Sequence, residues 1–316
     1  MLPPASSYIG LEVASDVLRG GRVNASGRMV TRYEQPLART SVESLLNQLT
    51  AAVKAVDGTG DETARAVGVA IPGIVAGNRV TMCANLPLLD DLALGDLLSG
   101  RLGRPALLEN DANAAALAEA WQGAGRGGRS VLFVSLCTGI GAGIVADGRV
   151  WSGPNGYAGE VGHVQVETKG VPCACGSRGC LETIAGAVGW TRRARAALAG
   201  RASTLQPDHL EPAAIVAAAE AGDEVAREIV AETARALGAP LAAAIGLLNL
   251  DRVVLGGGPT ACPLLLDALV VEARQRTLPR AFAECSFRLS ELTEGACVLG
   301  AARVARVAMF GAADHR

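Results

Sequence analysis

Four side chains that bind transition metals lie close together in the segment GHVQVETKGVPCACGSRGC. Three thiolates and one imidazole suit a closed tetrahedral zinc site, and Gly176 and Gly179 let the backbone fold tightly around an ion. Unrelated buried thiols are the alternative, but packing alone rarely places three cysteines within eight positions of a loop rich in Gly and Pro. We therefore expect a structural zinc ion, without an open coordination position, held by His163, Cys173, Cys175 and Cys180.

A second group of polar residues is centred on the segment LENDANAAALAEA, where Asn110 and Asp111 stand at a change from strand to helix. An aspartate at such a place can serve simply as a helix N-cap. The segment YAGEVGH adds Glu160 and His163, and CLE adds Glu182. Carboxylates, an amide and an imidazole set among glycines can hydrogen-bond the hydroxyls of a small polyol from several sides. Taken alone, these residues leave both interpretations open.

Two glycine-rich turns follow buried strands: CTGIGAG at 137–143 and LGGGP at 255–259. Glycines at strand ends let the backbone approach a phosphate or a nucleotide closely. Neither segment contains the Gly-Lys-Ser/Thr of a Walker A loop, and each could be an ordinary turn.

The elements that would position these residues fall into two similar halves. Residues 8–34 predict two or three strands with turns at Gly20-Gly21 and 24–27, and a helix follows with capping-box spacing of Thr40 and Glu43. AVGVAIPGIV predicts a buried strand stopped by Pro72-Gly73. A further strand, ending at Leu108, leads into a helix over 111–121, and GAGRGGR at 123–129 is the most linker-like stretch.

After this linker the pattern starts again. SVLFVSLCTGIGAGIVADGRVW predicts a strand, a turn, a second strand and a hairpin at Asp147-Gly148. Helices dominate from Leu181 to Leu248, with a kink or a break at Gly238 and Pro240, and DRVVLGGGPT adds a buried strand. Two α/β lobes with a cleft between them are the natural interpretation.

Composition excludes several classes of protein. The 316 residues are 50% hydrophobic but only 3% aromatic, which is typical of a helix-rich α/β protein of two domains. A net charge of −2 gives no electrostatic reason to expect nucleic-acid binding. No apolar run of membrane-spanning length and no secretory signal is visible, so we expect no membrane association. Eight cysteines with a metal-binding pattern favour a reducing compartment, the cytoplasm.

Taken in order, six segments resemble the motifs of the ROK family (repressors, open reading frames, kinases): VAIPGIV, LENDANAAAL, TGIGAGIV…DGRV, AGEVGH, CACGSRGCLE and VVLGGGP. The resemblance runs from about residue 8 to about residue 306. It implies a two-domain actin-like, hexokinase-like (ribonuclease H-like) α/β fold with sugar and ATP in the interdomain cleft. The implied domains are 1–121, completed by the C-terminal helix 301–316, and 122–300, which includes the zinc loop.

The resemblance also implies roles for individual residues and partners. Asp111 would be the general base, and His163 would serve both zinc and sugar. We expect ATP with Mg²⁺ as co-substrate, a small sugar as ligand, and a homodimer or homotetramer. Sugar contacts would come from Gly73, Asn110, Glu160, His163 and Glu182; phosphate contacts from Thr138 and Gly139; and adenosine contacts from Gly256, Gly257 and Gly258.

The chain departs from the family pattern mainly in its first phosphate motif. Where the family has Asp-x-Gly-Gly-Thr, the aligned residues are Glu12, Val13, Ala14, Ser15 and Asp16; Cys137 also replaces a glycine, and Ala76 an acidic residue. A carboxylate about 4 Å from a phosphate oxygen opposes binding by about 4 kcal/mol at an effective dielectric constant near 20. Ala14 and Ser15 would add strain only if the hairpin needs positive φ angles.

Two functions therefore stay open. The first is an ATP-dependent, glucokinase-like kinase of a hexose, an amino sugar or a related cyclitol. The second is a sugar-binding ROK protein with weak or no catalysis, acting as a sensor or a partner subunit. Only about seven residues precede the first predicted strand, which leaves no room for the winged-helix domain of the family's repressors. We therefore expect no direct DNA binding.

Overall fold

The computed structural model describes residues 7–58, 63–292 and 295–310, and these form two compact units of mixed α/β structure. The first unit takes the described residues of 1–127, 143–158 and 292–316, and the second takes those of 128–142 and 159–291. The domain boundaries expected from the sequence stay a prediction. Residues 311–316 of the expected C-terminal helix lie outside the described residues.

The sheet of the first unit has the order β3-β2-β1-β4-β7. Its first three strands form an antiparallel meander, whereas β4 and β7 run parallel to β1. Strand β4, VGVAI, lies between β1 and β7 and is buried along its whole length, which explains its uninterrupted apolar sequence. The strands up to this point of the chain are β1 (Tyr8–Val13), β2 (Val17–Val23), β3 (Met29–Pro36), β4 (Val67–Ile71), β5 (Ile74–Ala76), β6 (Arg79–Met82) and β7 (Ala106–Asn110), with β5 and β6 forming a separate hairpin.

The turn predicted at Gly20-Gly21 is wrong, because both glycines lie inside β2. They pair with Leu11 and Gly10 of β1, so the chain reverses earlier, at residues 14–16, where the N–H of Ala14 donates to the carbonyl of Val17. The turn predicted at 24–27 is confirmed: the N–H of Gly27 donates to the carbonyl of Asn24. Glycine pairs were therefore a misleading turn signal within a buried strand.

Ten α-helices occur in the described residues. The helix predicted after β3 is confirmed, but its N-cap is Ser41, whose Oγ accepts the Ser44 N–H at 3.1 Å, and not Thr40. The helices are α1 (Val42–Val56), α2 (Leu94–Leu102), α3 (Asp111–Gln122), α4 (Glu182–Ala185), α5 (Ala187–Leu198), α6 (Pro212–Glu220), α7 (Glu224–Leu248), α8 (Pro263–Arg276), α9 (Pro279–Glu284) and α10 (Ala296–Phe310).

Helices cover both faces of the first sheet. The apolar side of α1 packs into the main core with Ile9, Leu11 and Val69. The other face holds α3 and α10, and here α10 approaches the strands unusually closely. A Cβ atom at Gly10 or at Gly68 would lie 1.8 Å from a carbonyl oxygen of α10, so only glycine fits at these two positions. The C-terminal helix is thus an integral part of the first unit.

The second sheet has the order β10-β9-β8-β11-β12, with β11 parallel to both β8 and β12. The hairpin predicted at Asp147-Gly148 is confirmed, and both residues have positive φ angles, 45° and 71°. The strands are β8 (Ser130–Leu136), β9 (Ile140–Ala146), β10 (Arg149–Val150), β11 (Arg252–Gly256) and β12 (Ser286–Leu289).

Helix α7 is the longest element of the second unit, and it runs unbroken through Pro240. Among the described residues it is also the one helix whose length and apolar composition would allow it to cross a membrane. Its buried residues pack against α5, α6 and α8. The core helix of a globular protein can have the same length and apolar composition. We therefore interpret α7 as the central core helix of this unit.

Candidate active site and metal centre

Asn110 links the end of β7 to the start of α3. The strand continues through Asn110 rather than ending at Leu108, and Asn110 is the helix cap, since its Oδ1 accepts the N–H of Asn113 at 3.0 Å. Its Nδ2 donates to the carbonyl oxygen of Gly73 at 3.0 Å. The structure thus brings together two of the predicted sugar-binding positions, Gly73 and Asn110.

Asp111 is the first residue of α3 and not its cap, so the helix-cap interpretation of this residue is wrong. Its Oδ1 accepts the N–H of Ala112 at 2.8 Å. It follows a strand that lies parallel to β4, next to the Pro72-Gly73 turn. A helix N-terminus stabilises negative charge, so the position suits a carboxylate that acts as a base.

Two residues near Asp111 were missed by sequence reasoning. Cys83 is buried, and its thiol donates to the carbonyl of Pro72 at 3.0 Å. Burial raises the pKa of Cys83, and the charges of Asp90 and Asp111 add to the rise. Burial also raises the pKa of Glu109, while hydrogen bonds from Asn113 and from the backbone of Asn110 act in the opposite direction. Only the position of Glu109, directly before Asn110, could have drawn attention to it.

The 12–16 hairpin closes without glycine. The non-glycine residues with positive φ in the described chain are Asp91, Asp147 and Asn249, so Ala14 and Ser15 adopt ordinary backbone conformations. Ser15 and Asp16 are exposed at the tip. The replacement of glycine in this hairpin therefore introduces no backbone strain.

Glu12 takes part in a network of ion pairs that links β1, β2 and β3. Arg19 lies opposite both Glu12 and Glu34, and its guanidinium reaches Glu12 at 3.4 Å and Glu34 at 2.9 Å. The Glu12 side chain is only 15% exposed. The residue that the sequence resemblance aligns with the family's first aspartate is therefore ion-paired.

In the second unit, the two glycine-rich turns lie side by side because β8 and β11 are parallel neighbours. The Cys137 thiol contacts the carbonyl of Gly257, and a Cβ atom at Gly257 would lie 2.3 Å from Ser135 Oγ. Gly257 also has a φ of +93°, which few other residues adopt. The predicted phosphate turn, Thr138 and Gly139, thus adjoins the predicted adenosine turn, Gly256 to Gly258.

Glu182, at the start of α4, packs against the same phosphate turn. Its Oε2 accepts the N–H of Ile140 at 3.0 Å, and a Cβ atom at Gly139 would lie 2.3 Å from that oxygen. The N–H of Ala187, at the start of α5, donates to the carbonyl of Cys137. One predicted sugar ligand is therefore fixed directly beside the predicted phosphate contacts.

Glu160 and His163 form a second polar pair in this unit. His163 Nε2 lies 3.7 Å from Glu160 Oε2, while its Nδ1 lies 3.7 Å from the sulfur of Cys173. Burial raises the pKa of Glu160; His163 acts in the opposite direction, and the Glu182 carboxylate adds to the rise. The histidine ring thus faces the cysteines with one nitrogen and a predicted sugar ligand with the other.

The four predicted metal ligands converge. The ligand atoms of His163, Cys173, Cys175 and Cys180 all lie within 4.8 Å of one another, and the sulfurs of Cys175 and Cys180 are 3.7 Å apart. Zinc–sulfur bonds of about 2.3 Å at tetrahedral angles place two sulfurs about 3.8 Å apart. The donor set and its spacing fit a four-coordinate zinc ion.

The thiols of this cluster have perturbed acidities. The backbone of Ser177 lowers the pKa of Cys175, whereas burial, together with the other two cysteines, raises the pKa of Cys180 to about 12. Three neighbouring thiolates repel one another unless a cation offsets their charge. All eight cysteines of the chain lie in the described ranges, and no two of them form a disulfide there. The cluster can therefore hold a metal ion.

The chain is similar to known proteins over nearly its whole length. A model of the ROK family matches residues 8–308. The chain is 33% identical to a glucokinase from Halalkalibacterium halodurans over 93% of both chains. It is 31% identical to a glucokinase from Thermotoga maritima, covering 98% of this chain and 100% of that protein. An N-acetylmannosamine kinase from Yersinia pseudotuberculosis is 31% identical over 86% of this chain and 89% of its own.

Solved structures agree with this result. The ROK hexokinase of Thermus thermophilus superposes with a TM-score of 0.83 at 29% identity, covering 96% of this chain and 99% of that chain. A ROK family glucokinase of Streptomyces griseus, solved with glucose and AMPPNP, gives a TM-score of 0.78 at 30% identity over 95% and 99% of the two chains. A ROK family transcriptional regulator gives 0.85 at 26% identity, over 98% of this chain and 79% of its own.

The sequence relatives and the structures therefore lead to one assignment. The chain has the two-domain actin-like, hexokinase-like fold, and it belongs to the ROK family.

Proposed function

We propose that this protein is a sugar kinase that transfers the γ-phosphoryl group of ATP to a hydroxyl of a hexose or a related sugar. The observation that carries the proposal is Asp111, a carboxylate fixed at the first position of α3 beside the Asn110–Gly73 link. Such a group accepts a proton from a substrate hydroxyl. The two glucokinases and the N-acetylmannosamine kinase among its relatives support a sugar as the acceptor.

In the proposed mechanism, Asp111 takes the proton of the sugar hydroxyl while the oxygen of that hydroxyl forms the new bond to the γ-phosphorus. The bond from that phosphorus to the β-phosphate bridge oxygen breaks, and ADP leaves. Phosphoryl transfer depends mainly on positioning and on offsetting the phosphate charge. Mg²⁺ bound to ATP would supply part of that offset, and the backbone at Thr138, Gly139 and Gly256 to Gly258 would hold the phosphates and the adenosine.

The proposed sugar contacts differ in chemistry. Asn110 and the Gly73 backbone lie in the first unit, whereas Glu160, His163 and Glu182 lie in the second. The carboxylates accept hydrogen bonds from hydroxyls, and the amide and imidazole can donate or accept. These groups recognise hydroxyls that are common to many sugars, so the substrate class is proposed as hexoses, amino sugars and related cyclitols.

We also propose that the four-residue cluster holds a structural zinc ion. The ligand spacing supports a closed site, and the two faces of the His163 ring support a link between that site and Glu160. An ion there would fix the loop of residues 163–180 and the orientation of the histidine.

The proposed activity is tested by measuring ATP consumption with glucose, mannose, N-acetylmannosamine, N-acetylglucosamine and myo-inositol. We expect ADP release that depends on at least one of these compounds. Calorimetry with the same compounds provides the control for binding. Binding of a sugar without any ADP release would contradict the kinase proposal.

A second candidate function is sugar binding without turnover, as a sensor or a partner subunit. The observation that favours it is the 12–16 hairpin, where Glu12 is paired with Arg19 and Asp16 adds a negative charge at the tip. Against it stands the unstrained backbone of the same hairpin, which closes without glycine. We therefore favour the kinase.

Asp16→Thr is expected to lower the KM for ATP by about five- to tenfold. Because Asp16 is exposed, its repulsion of a phosphate about 4 Å away is closer to the 1 kcal/mol found in water than to the 4 kcal/mol of a dielectric constant of 20. The measurement is steady-state kinetics at saturating sugar. Asp208→Thr, which removes an exposed charge from the second unit, is the matched control and should leave KM unchanged. An equal KM in wild type and Asp16→Thr would mean that Asp16 does not approach the phosphates.

A further inference from the structure

Glu109 is a half-buried carboxylate two residues before the proposed base, and the proposed mechanism does not use it. Its Oε1 accepts two hydrogen bonds, from the N–H of Asn110 at 3.0 Å and from Nδ2 of Asn113 at 2.9 Å. Glu109 pairs with Ala70 of β4, and Ala70 packs against Ala114 of α3 and Ala301 of α10. Glu109 therefore lies on the side of the sheet that faces these two helices. Its bonds are thus directed at the start of α3.

Asn113 completes a closed set of hydrogen bonds. It is only 2% exposed, and its backbone N–H donates to Asn110 Oδ1 while its side chain donates to Glu109. Its Oδ1 has no partner within the described ranges, so Glu109 receives the one side-chain hydrogen bond that Asn113 makes there. Glu109, Asn110 and Asn113 are thereby joined in a ring.

In the sequence, Asp111 stands between Asn110 and Asn113, two members of this ring. The backbone on its N-terminal side is held by Glu109 through the Asn110 N–H, and the turn on its C-terminal side is held through both groups of Asn113. The cap made by Asn110 alone fixes the Asn113 N–H but leaves the peptide between Glu109 and Asn110 without a restraint from a side chain. The glutamate supplies that second restraint.

We infer that Glu109 is a positioning residue for Asp111: through Asn110 and Asn113 it fixes the first turn of α3 and hence the carboxylate of the base. The inference rests on the proposed kinase function. A displacement of about 1 Å in a reacting group lowers a rate by up to about a hundredfold. The expected effect is therefore on turnover rather than on the binding of either substrate.

Glu109→Ala is expected to lower kcat by about ten- to a hundredfold while the KM values for sugar and ATP change by less than about threefold. Glu109→Gln keeps an oxygen that accepts both hydrogen bonds, so it should restore most of the lost turnover. Glu43→Ala, which removes an exposed glutamate paired with Arg101 in the same unit, is the control for general loss of charge and should match wild type.

Asn113→Ala removes the hydrogen bond between Asn113 and Glu109 by deleting its donor. This variant tests the inference if Glu109→Ala fails to fold. When both single variants fold, the double variant should be little worse than the poorer of the two, because residues that act through one network do not have additive effects. Additive losses, or wild-type kcat in both single variants, would overturn the inference.

Hydrogen exchange of the backbone amides separates this inference from the kinase proposal. Glu109→Ala should speed the exchange of the Asn110 and Asn113 amides, and Glu109→Gln should not, whether or not the protein phosphorylates a sugar. Faster exchange in a protein without turnover would refute the kinase proposal and keep the ring. Unchanged exchange in Glu109→Ala would refute the ring itself.

Discussion

Asp111→Asn is expected to lower kcat by about 10²- to 10⁴-fold, the range that general base catalysis supplies. Asparagine keeps an Oδ1 that can accept the Ala112 N–H, so the first turn of α3 should survive. What is lost is the ability to take up the proton of the attacking hydroxyl. The measurement is kcat at saturating sugar and ATP, with sugar affinity from calorimetry expected to stay within about threefold of wild type.

Asp96→Asn is the matched control for this experiment. Asp96 is also an aspartate in the first turn of a helix of the same unit, and it accepts a hydrogen bond from Asn78. Its substitution changes the same charge at a comparable helix position, so kcat should be close to wild type. Near-normal turnover in Asp111→Asn would assign the base to another residue.

Removal of the metal is expected to have the largest effect on sugar binding. Purified protein should contain about one zinc ion per chain, and Cys180→Ser, or a strong chelator, should release it. Without the ion, the loop of residues 163–180 loses its common anchor, and His163 and Glu160 lose their fixed positions. We expect sugar affinity to fall below detection by calorimetry, with a loss of hydrogen-exchange protection confined to this loop.

Proton release provides an independent measure of the same site. Burial raises the pKa of Cys180 to about 12, so this thiol is protonated at neutral pH and must lose its proton to bind zinc. Calorimetric titration of the metal-free protein in buffers of different ionisation enthalpy should show this release. Cys285→Ala, a buried thiol of the second unit outside the cluster, is the control and should retain zinc. A fully metal-free preparation with normal sugar affinity would refute the proposed zinc site.

Local patterns predicted much of this molecule. The buried strand before Pro72-Gly73, the passage from β7 into α3, the hairpin at Asp147-Gly148 and membership of the ROK family are confirmed. The convergence of the metal ligands was also expected, because packing alone rarely places three cysteines so close together on one loop. The roles of the individual site residues stay predictions.

Other features depend on contacts that the sequence does not display. Gly20-Gly21 suggested a turn, but the neighbouring strands of the meander enclose these glycines, and pairing with β1 decides their conformation. The ring of Glu109, Asn110 and Asn113 requires knowing that the strand extends to Asn110 and that Asn110, rather than Asp111, caps the helix. Arg19 is linked to Glu12 only through the register of β1 and β2. Each of these errors or omissions concerns a partner distant in the sequence or a boundary shifted by one or two residues.

Because α10 packs closely against Gly10 and Gly68, the first unit can complete its fold only after the end of the chain has been synthesised. The strands β1 and β4 leave the ribosome early, but the helix that covers them is made about 170 residues after Gly127. At about 5–20 residues per second, this delay is roughly 10–30 s. During that time one face of the first sheet lacks α10, one of its two helices, while the second unit is being made. A nascent chain stalled before residue 296 should therefore bind chaperones through its first unit.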